Sequence, residues 1–458
     1  MAFKNTLRAR HLQIVQGIIF GIFILKAFYL LHFTAYQSSV QYDMASYWYG
    51  AYERAWGDKF EFHQYGVAPP FYIYLCAYFL HAMSSLGMLS YALPLLIVLN
   101  VLLQSVSSYF VYLMADRLTG RKVFAFGALF FYTLSYLQLY LNALVFPENL
   151  ATPLLIIVIW IIVFRPLSLS SMLIAGLLLG IAVASKPLFA VLSPAVIGCV
   201  WLRLDKKGKL PGIFVLSMAL VAVPLATVME NYHISQGKVL SVSPTGGANF
   251  FQGWGQISKI TSETSYGTWW LYSPGSLDEV YWRPIDTHEP WFHQGYYYRL
   301  GWEAIHNDPG VILKKIFWFK KLFWGILGPT LNKAPAGYYK IMPALGWLYY
   351  MMFLTPWILL LPAFRRVCDK AIYFLFSILS IVFLSIYLCG MPEKRYFSYV
   401  EFLVVILFFV ALDKIIGLWR VYKKEILAYF FCLLYFFFFI PLICSKWMGI
   451  NGVGIWQG

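Results

Sequence analysis

PPFYIYLCAYFLHAMSSLG, residues 69–87, decides the fold, because the direction of every later segment depends on whether this run crosses a membrane. A second apolar run, about 91–114, follows it, and then the basic cluster ADRLTGRK at 115–122. A spanning helix needs roughly 20 predominantly apolar residues, and short loops rich in Lys and Arg stay on the cytoplasmic side. If both runs crossed, ADRLTGRK would face outward. The first run opens on two prolines, contains His81, Ser84 and Ser85, and breaks at Gly87. It is therefore expected as a juxtamembrane helix lying on, or dipping into, the outer face.

The composition agrees with that frame. Hydrophobic residues make up 60% of 458 and charged residues 12%, with a mean hydropathy of +0.67, well outside the range of soluble globular chains. The apolar stretches recur along the whole length, which excludes a single anchor on a soluble domain. An all-α polytopic membrane protein is expected. The N-terminal MAFKNTLRARH is basic and leads into an apolar run at about 12–31 with no small-residue cleavage site, so the first helix is expected to be uncleaved.

The net charge of +15 raises the possibility of nucleic-acid binding. The basic residues, however, sit in short clusters between apolar runs: Lys4/Arg8/Arg10, Arg117/Arg121/Lys122, Arg203/Lys206/Lys207/Lys209, Arg365/Arg366/Lys370 and Arg420/Lys423/Lys424. That pattern sets topology and predicts no nucleic-acid partner. Of the six cysteines only Cys368 lies outside an apolar run, so neither a disulfide framework nor a thiolate metal site is implied.

With residues 69–87 kept off the crossing path, segments at about 91–114, 123–145, 149–164, 170–185, 187–202 and 212–230 place every strongly basic loop inside. They place Pro147-Glu148-Asn149 and Lys186-Pro187 outside. Further segments at about 343–364, 371–389, 397–416 and 426–444 complete roughly eleven crossings. The N-terminus is then cytoplasmic and the C-terminus outside. Three regions follow: 1–230 with a first outer loop at 32–90, a large outer region at 231–340, and C-terminal spans at 341–458. Between 231 and 313 there are four Lys/Arg against seven Asp/Glu, an acidic balance in a basic chain. Gly246-Gly247, Gly253 and Gly255 are expected to mark turns. His306-Asn307-Asp308-Pro309 is expected to cap an amphipathic helix, GVILKKIFWFKKLFWGI, at the outer surface.

This topology gathers polar groups from distant stretches on one side: Asp43, Glu53 and Glu61 of the first loop, Glu148, Lys186, four loop histidines and Glu393-Lys394-Arg395. Taken singly, each has a plain structural explanation. Glu148 at a helix start is favoured by the helix dipole, Lys186 and Arg395 can snorkel from helix ends, and His233, His288, His293 and His306 lack metal-ligand spacing. Their convergence is the functional signal.

The order of these motifs resembles the GT-C superfamily of membrane glycosyltransferases, which includes lipid A aminoarabinose transferases and protein O-mannosyltransferases. Asp43 early in the first loop, followed by Pro69-Pro70-Phe71, is similar to the family's opening. NALVFPENLATPLLIIVIW resembles its second acid motif with Glu148 in the acid position, and GLLLGIAVASKPLFAVLSPAV its Gly-rich helix ending at Lys186-Pro187. NYHISQGKVLSVSPTGGANFFQGWG and HNDPGVILKKIFWFKKLFW resemble the entry and exit of its large loop, and GMPEKRYFSYVEFLVVILFF its late Arg-Tyr motif with Arg395-Tyr396. The likeness runs from about 40 to 416. It departs where Met44 follows Asp43, where Val67-Ala68 precede the prolines, and at Glu230, where an arginine is common.

The resemblance implies an integral glycosyltransferase of the cell inner membrane, working at the periplasmic or extracytoplasmic face on the cell envelope, as in lipopolysaccharide or glycan modification. Its partners would be a polyprenyl-phosphate sugar donor, a lipid, glycan or protein acceptor, and membrane lipid. Transfer would invert the anomeric carbon. Asp43 would serve as general base, with Arg395, Lys186 and Lys394 as donor phosphate-binding groups. Glu148 would either orient the acceptor or share a divalent metal with Asp43. Two other classes stand beside this one. A lipid-linked oligosaccharide polymerase or ligase would use a pyrophosphate-linked donor, and a transporter or flippase would show repeats and broken helices at mid-membrane.

Overall fold

The computed structural model describes residues 2–34, 43–57, 70–205, 208–243, 246–251, 253–254, 293–312, 315, 346, 348–362, 364, 368–389 and 394–434. No strand occurs among them. In chain order the helices are α1 (Ala2–Phe33), α2 (Asp43–Trp56), α3 (Pro70–Ser85), α4 (Ala92–Thr119), α5 (Lys122–Thr133), α6 (Tyr136–Asn142), α7 (Glu148–Phe164) and α8 (Leu169–Ser185). They continue with α9 (Ser193–Arg203), α10 (Lys209–Ile234), α11 (Gly246–Phe251), α12 (Gln294–Asn307), α13 (Leu348–Leu360), α14 (Lys370–Cys389) and α15 (Ser398–Leu434).

Among the described residues five stretches are long and apolar enough to cross a membrane: His11–Phe33, Leu89–Thr119, Lys209–Ile234, Lys370–Leu388 and Arg395–Trp419. The number is six if α5 and α6, bent by 43° at their junction, form one span. The helices Glu148–Phe164, Leu169–Ser185, Pro187–Arg203 and Leu348–Leu360 are apolar but shorter. α7 is about 25 Å long at 1.5 Å per residue, against a hydrocarbon layer of about 30 Å. The apolar runs expected between residues 12 and 230 are largely helical, the run 123–145 being broken at 134–135 and leaving its helix at 143.

Polarity is inverted relative to a soluble bundle. α4 buries Asn100, Gln104, Ser105, Ser107 and Ser108, while α10 exposes Phe214, Met218, Val221 and Leu225. An apolar exterior around a partly polar interior is what lipid solvation selects. The chain is an all-α membrane protein.

Close packing depends on small residues where helices cross. A Cβ at Gly176 would lie 2.5 Å from the Leu216 carbonyl oxygen, and one at Gly180 would lie 2.7 Å from that of Leu220. This four-residue spacing of glycines lets the α8 and α10 backbones touch, the small-xxx-small device of membrane helices.

Two helices act as rulers between the ends of the bundle. On α15, Tyr399 lies near one end, and Asp413, paired with Arg121 at 3.0 Å, lies about 21 Å further along. On α7, Glu148 opens the helix, and the carbonyls of Ile162 and Arg165 at its far end accept from the Arg203 guanidinium. Arg121 and Arg203, from two of the basic clusters, thus lie at the end opposite Glu148 and Tyr399.

Local expectations are met in part. At Arg420/Lys423/Lys424 the expected separation of two segments takes the form of a kink, since α15 is two helices joined at Tyr422 (φ −117°, ψ 29°) within Ser398–Leu434. Gly246 and Gly247 open α11 instead of a turn. The glycine at 247 serves close approach, since a Cβ there would lie 2.3 Å from the Gln294 carbonyl oxygen. Asp308 follows the end of α12, the Val311 N–H donates to its carbonyl at 2.9 Å, and residues 311, 312 and 315 after it are helical as expected. Most of the amphipathic stretch after it lies outside the described residues.

Candidate functional site

The loop 143–147 and the first turn of α7 set the place of Glu148. Asn149 Nδ2 donates to the carbonyls of Leu141 and Leu144, each at 2.8 Å. Asn100 Nδ2 donates to those of Asn142 at 3.3 Å and Leu144 at 3.2 Å. With the backbone polar groups answered by side chains, the loop can be buried. Glu148 follows Pro147, which occupies the N-cap position, and its carboxylate enters the bundle with 1% of the side chain exposed.

Lys186 approaches from the end of α8. Its N–H closes that helix on the Ala182 carbonyl at 2.8 Å, and Pro187 begins a 3-10 turn directly after it. Its Nζ donates to Glu148 Oε1 at 2.9 Å. Tyr399, in the first turn of α15, donates its hydroxyl to the same oxygen at 2.8 Å. Nζ also lies 5.3 Å from the Tyr396 ring centre and 5.7 Å from that of Tyr399, within cation–π range.

Arg395 completes the group. Its guanidinium lies 5.3 Å from the Phe146 ring and 5.2 Å from the Tyr396 ring, and its charge acts on Glu148 together with that of Lys186. Glu148, Lys186 and Arg395, which the sequence places more than 200 residues apart at the extremes, thus meet in one cluster. Two cations face one carboxylate there. Glu148 Oε2 has no hydrogen-bond partner among the described residues.

Asp43 is the first residue of α2; its side chain lies outside the described part, as do Asp58, Glu61 and the side chain of Lys394. One turn after Asp43, the Tyr47 ring packs edge-on against Phe146 at 6.3 Å and Tyr72 at 5.5 Å. The start of α2 is therefore seated beside the residue that also stacks with Arg395.

Behind it, α2, α3 and α10 are joined by Arg54, Tyr74 and Glu230. Arg54 pairs with Glu230 at 3.3 Å and lies 4.8 Å over the Tyr74 ring, whose hydroxyl donates to Glu230 at 2.8 Å. Burial, and then the hydrogen bond to Glu230, hold the Tyr74 hydroxyl above its ordinary pKa. Glu230, where the resembled family commonly has arginine, here has a cationic partner on α2.

The residues at Glu148 do not fit a divalent cation well, because Lys186 and Arg395 already surround its carboxylate with positive charge. Among the described residues no group of three or more His, Cys, Asp or Glu is placed to hold a metal. His233, His293 and His306 form no such group, and His288 lies outside the described residues.

Sequence reasoning missed Tyr399. A tyrosine inside an aromatic-rich apolar run carries no signal of its own in a chain with 34 of them. It also missed Lys26 and Glu401, although a charge within a spanning run is a signal in principle. Comparison with protein-family models and with characterised proteins finds no match to this chain.

Proposed function

We propose that this protein is a membrane glycosyltransferase of the GT-C kind, moving a sugar from a polyprenyl-phosphate donor to a lipid, glycan or protein acceptor at the outer face. The observation that carries this reading is the meeting of Glu148, Lys186 and Arg395 beside the start of α2. A pair of cations against one carboxylate leaves a net positive charge at the edge of the apolar bundle. That suits an anionic group attached to a lipid tail.

In this reading Arg395 meets the departing phosphate, where its planar fork can bind two oxygens as charge develops. Lys186, held by Glu148 and stacked near Tyr396 and Tyr399, adds a fixed positive charge, and Lys394 adds a further point charge. Asp43 accepts the proton of the acceptor hydroxyl or amine as the new glycosidic bond forms. The sugar–phosphate bond breaks, and the donor leaves as polyprenyl phosphate. In this reading Glu148 holds the cations in register and orients the acceptor. The same reading keeps roughly eleven crossings, with α3 at the outer surface and the N-terminus in the cytoplasm.

Native mass spectrometry of the purified protein tests it. A co-purified polyprenyl phosphate or polyprenyl-phosphate sugar is expected, with its occupancy lowered at least tenfold in Arg395→Ala. A pyrophosphate-linked oligosaccharide would favour the polymerase or ligase class, and equal occupancy in Arg395→Ala would remove Arg395 from the phosphate site.

A further inference from the structure

Below the Glu148 cluster two ionisable side chains lie deep inside spanning helices: Lys26 of α1, 5% exposed, and Glu401 of α15, 0% exposed. Charges at such depth are costly and persist where they have partners and a use. Lys26 Nζ donates to Gln104 Oε1 at 2.8 Å and to the Thr133 carbonyl at 3.1 Å. Glu401 accepts from the Ser135 hydroxyl through Oε1 and from Gln138 Nε2 through Oε2 at 2.8 Å. The Tyr349 hydroxyl lies 3.0 Å from Ser135 Oγ. Lys26 and Glu401 interact electrostatically across the bundle.

All of these contacts meet at residues 132–138, the 43° bend between α5 and α6. A broken helix leaves backbone groups without intrahelical partners, and here other helices supply them. Gln104 Nε2 donates to the Tyr132 carbonyl at 3.3 Å, Lys26 takes that of Thr133, and Ser135 caps α6 by accepting the Gln138 N–H. The far end of α6 is the loop held by Asn100 and Asn149, and that loop delivers Glu148. On α15, Glu401 follows by two residues the tyrosine that binds Glu148 directly.

We propose that Glu401 is a positioning residue: through Ser135 and Gln138 it fixes the start of α6 and thereby the register of Glu148 against Lys186 and Arg395. Its kinetic consequence rests on the transferase reading; its structural content does not. Glu401 touches no substrate in this scheme. It acts through Ser135, Gln138 and the 143–147 loop.

The test uses the full chain in lipid nanodiscs, with Glu401→Gln and Gln138→Leu as variants. Amide hydrogen exchange over 143–149 should quicken at least tenfold in both, with the α8–α10 pair unchanged. Transfer from a polyprenyl-phosphate sugar should lose on the order of 100-fold in kcat, the scale of a 1 Å misplacement, with the donor KM within twofold. Gln138→Leu keeps both Lys26 and Glu401, so it stays informative if Glu401→Gln does not fold. Exchange at the wild-type rate over 143–149 in a folded variant overturns the proposal. So does a rise in donor KM with kcat unchanged. If the wild-type protein shows no transfer, the transferase reading fails, and the exchange rates still decide whether Glu401 positions the loop.

Discussion

Glu148 is the residue on which the site turns. Removing one partner of a buried ion pair strands the other charge, at a cost of about 3–5 kcal/mol. Lys186→Met should therefore destabilise the protein by that order, while the double variant Glu148→Gln/Lys186→Met should recover most of the loss. Equilibrium unfolding in mixed micelles measures both. Tyr399→Phe removes one hydrogen bond to a charged group and should cost about 1.5–3 kcal/mol in the same measurement. If the lysine variant and the double variant are equally unstable, Lys186 does not stabilise the protein through Glu148.

The Tyr74 hydroxyl offers a pH test at the same scale. Its pKa is raised in the folded protein, so the folded state holds its proton more tightly than the unfolded chain. Its stabilising contribution is complete below the unfolded value of 10.0 and is lost as pH rises above it. The melting temperature of the wild-type protein should fall more steeply above pH 10 than that of Tyr74→Phe. Parallel curves would show that Tyr74 does not carry this linkage.

At the scale of elements, the α8–α10 contact should be intolerant of volume. Gly180→Val places side-chain carbon against the Leu220 carbonyl and should cost about 1–3 kcal/mol through overpacking. A variant as stable as wild type would mean that the two helices separate at little cost.

Much of the helix layout was legible in the sequence, because apolar runs and basic clusters are strong, local signals. The ends of those runs carry the chemistry, which is why Glu148, Lys186 and Arg395 stood out. The bend between α5 and α6 was not legible: Leu134-Ser135 contains neither proline nor glycine, and the break is held by side chains from α1, α4 and α15. Gly246-Gly247 misled for the opposite reason, since a glycine used for close approach looks the same in sequence as one used for a turn. Tyr399 and Tyr47 were invisible because their roles come only from the partners that the fold brings to them.

For the whole molecule, Arg121 and Arg203 lie at the end opposite Glu148, and the proposed orientation puts that basic end in the cytoplasm and the Glu148 cluster outside. Single cysteines make that visible. Ser84 and Ser170 are exposed, the first near the end of α3 within the expected outer loop 32–90 and the second in the first turn of α8 at the basic end. A membrane-impermeant thiol reagent added to intact cells should label Ser84→Cys and leave Ser170→Cys unlabelled until the membrane is opened. Labelling of both, or the reverse pattern, would overturn the orientation.

In the proposed function Asp43 is the base of a transferase whose phosphate site is built by Arg395 and the Glu148-held Lys186. Release of polyprenyl phosphate from a polyprenyl-phosphate sugar, followed in nanodiscs for wild type and Asp43→Asn, tests it most directly. Wild type should turn over, and Asp43→Asn should lose on the order of 100-fold to 10,000-fold in rate while still binding the donor lipid. Full activity in Asp43→Asn, or no release by the wild-type protein, would contradict the account.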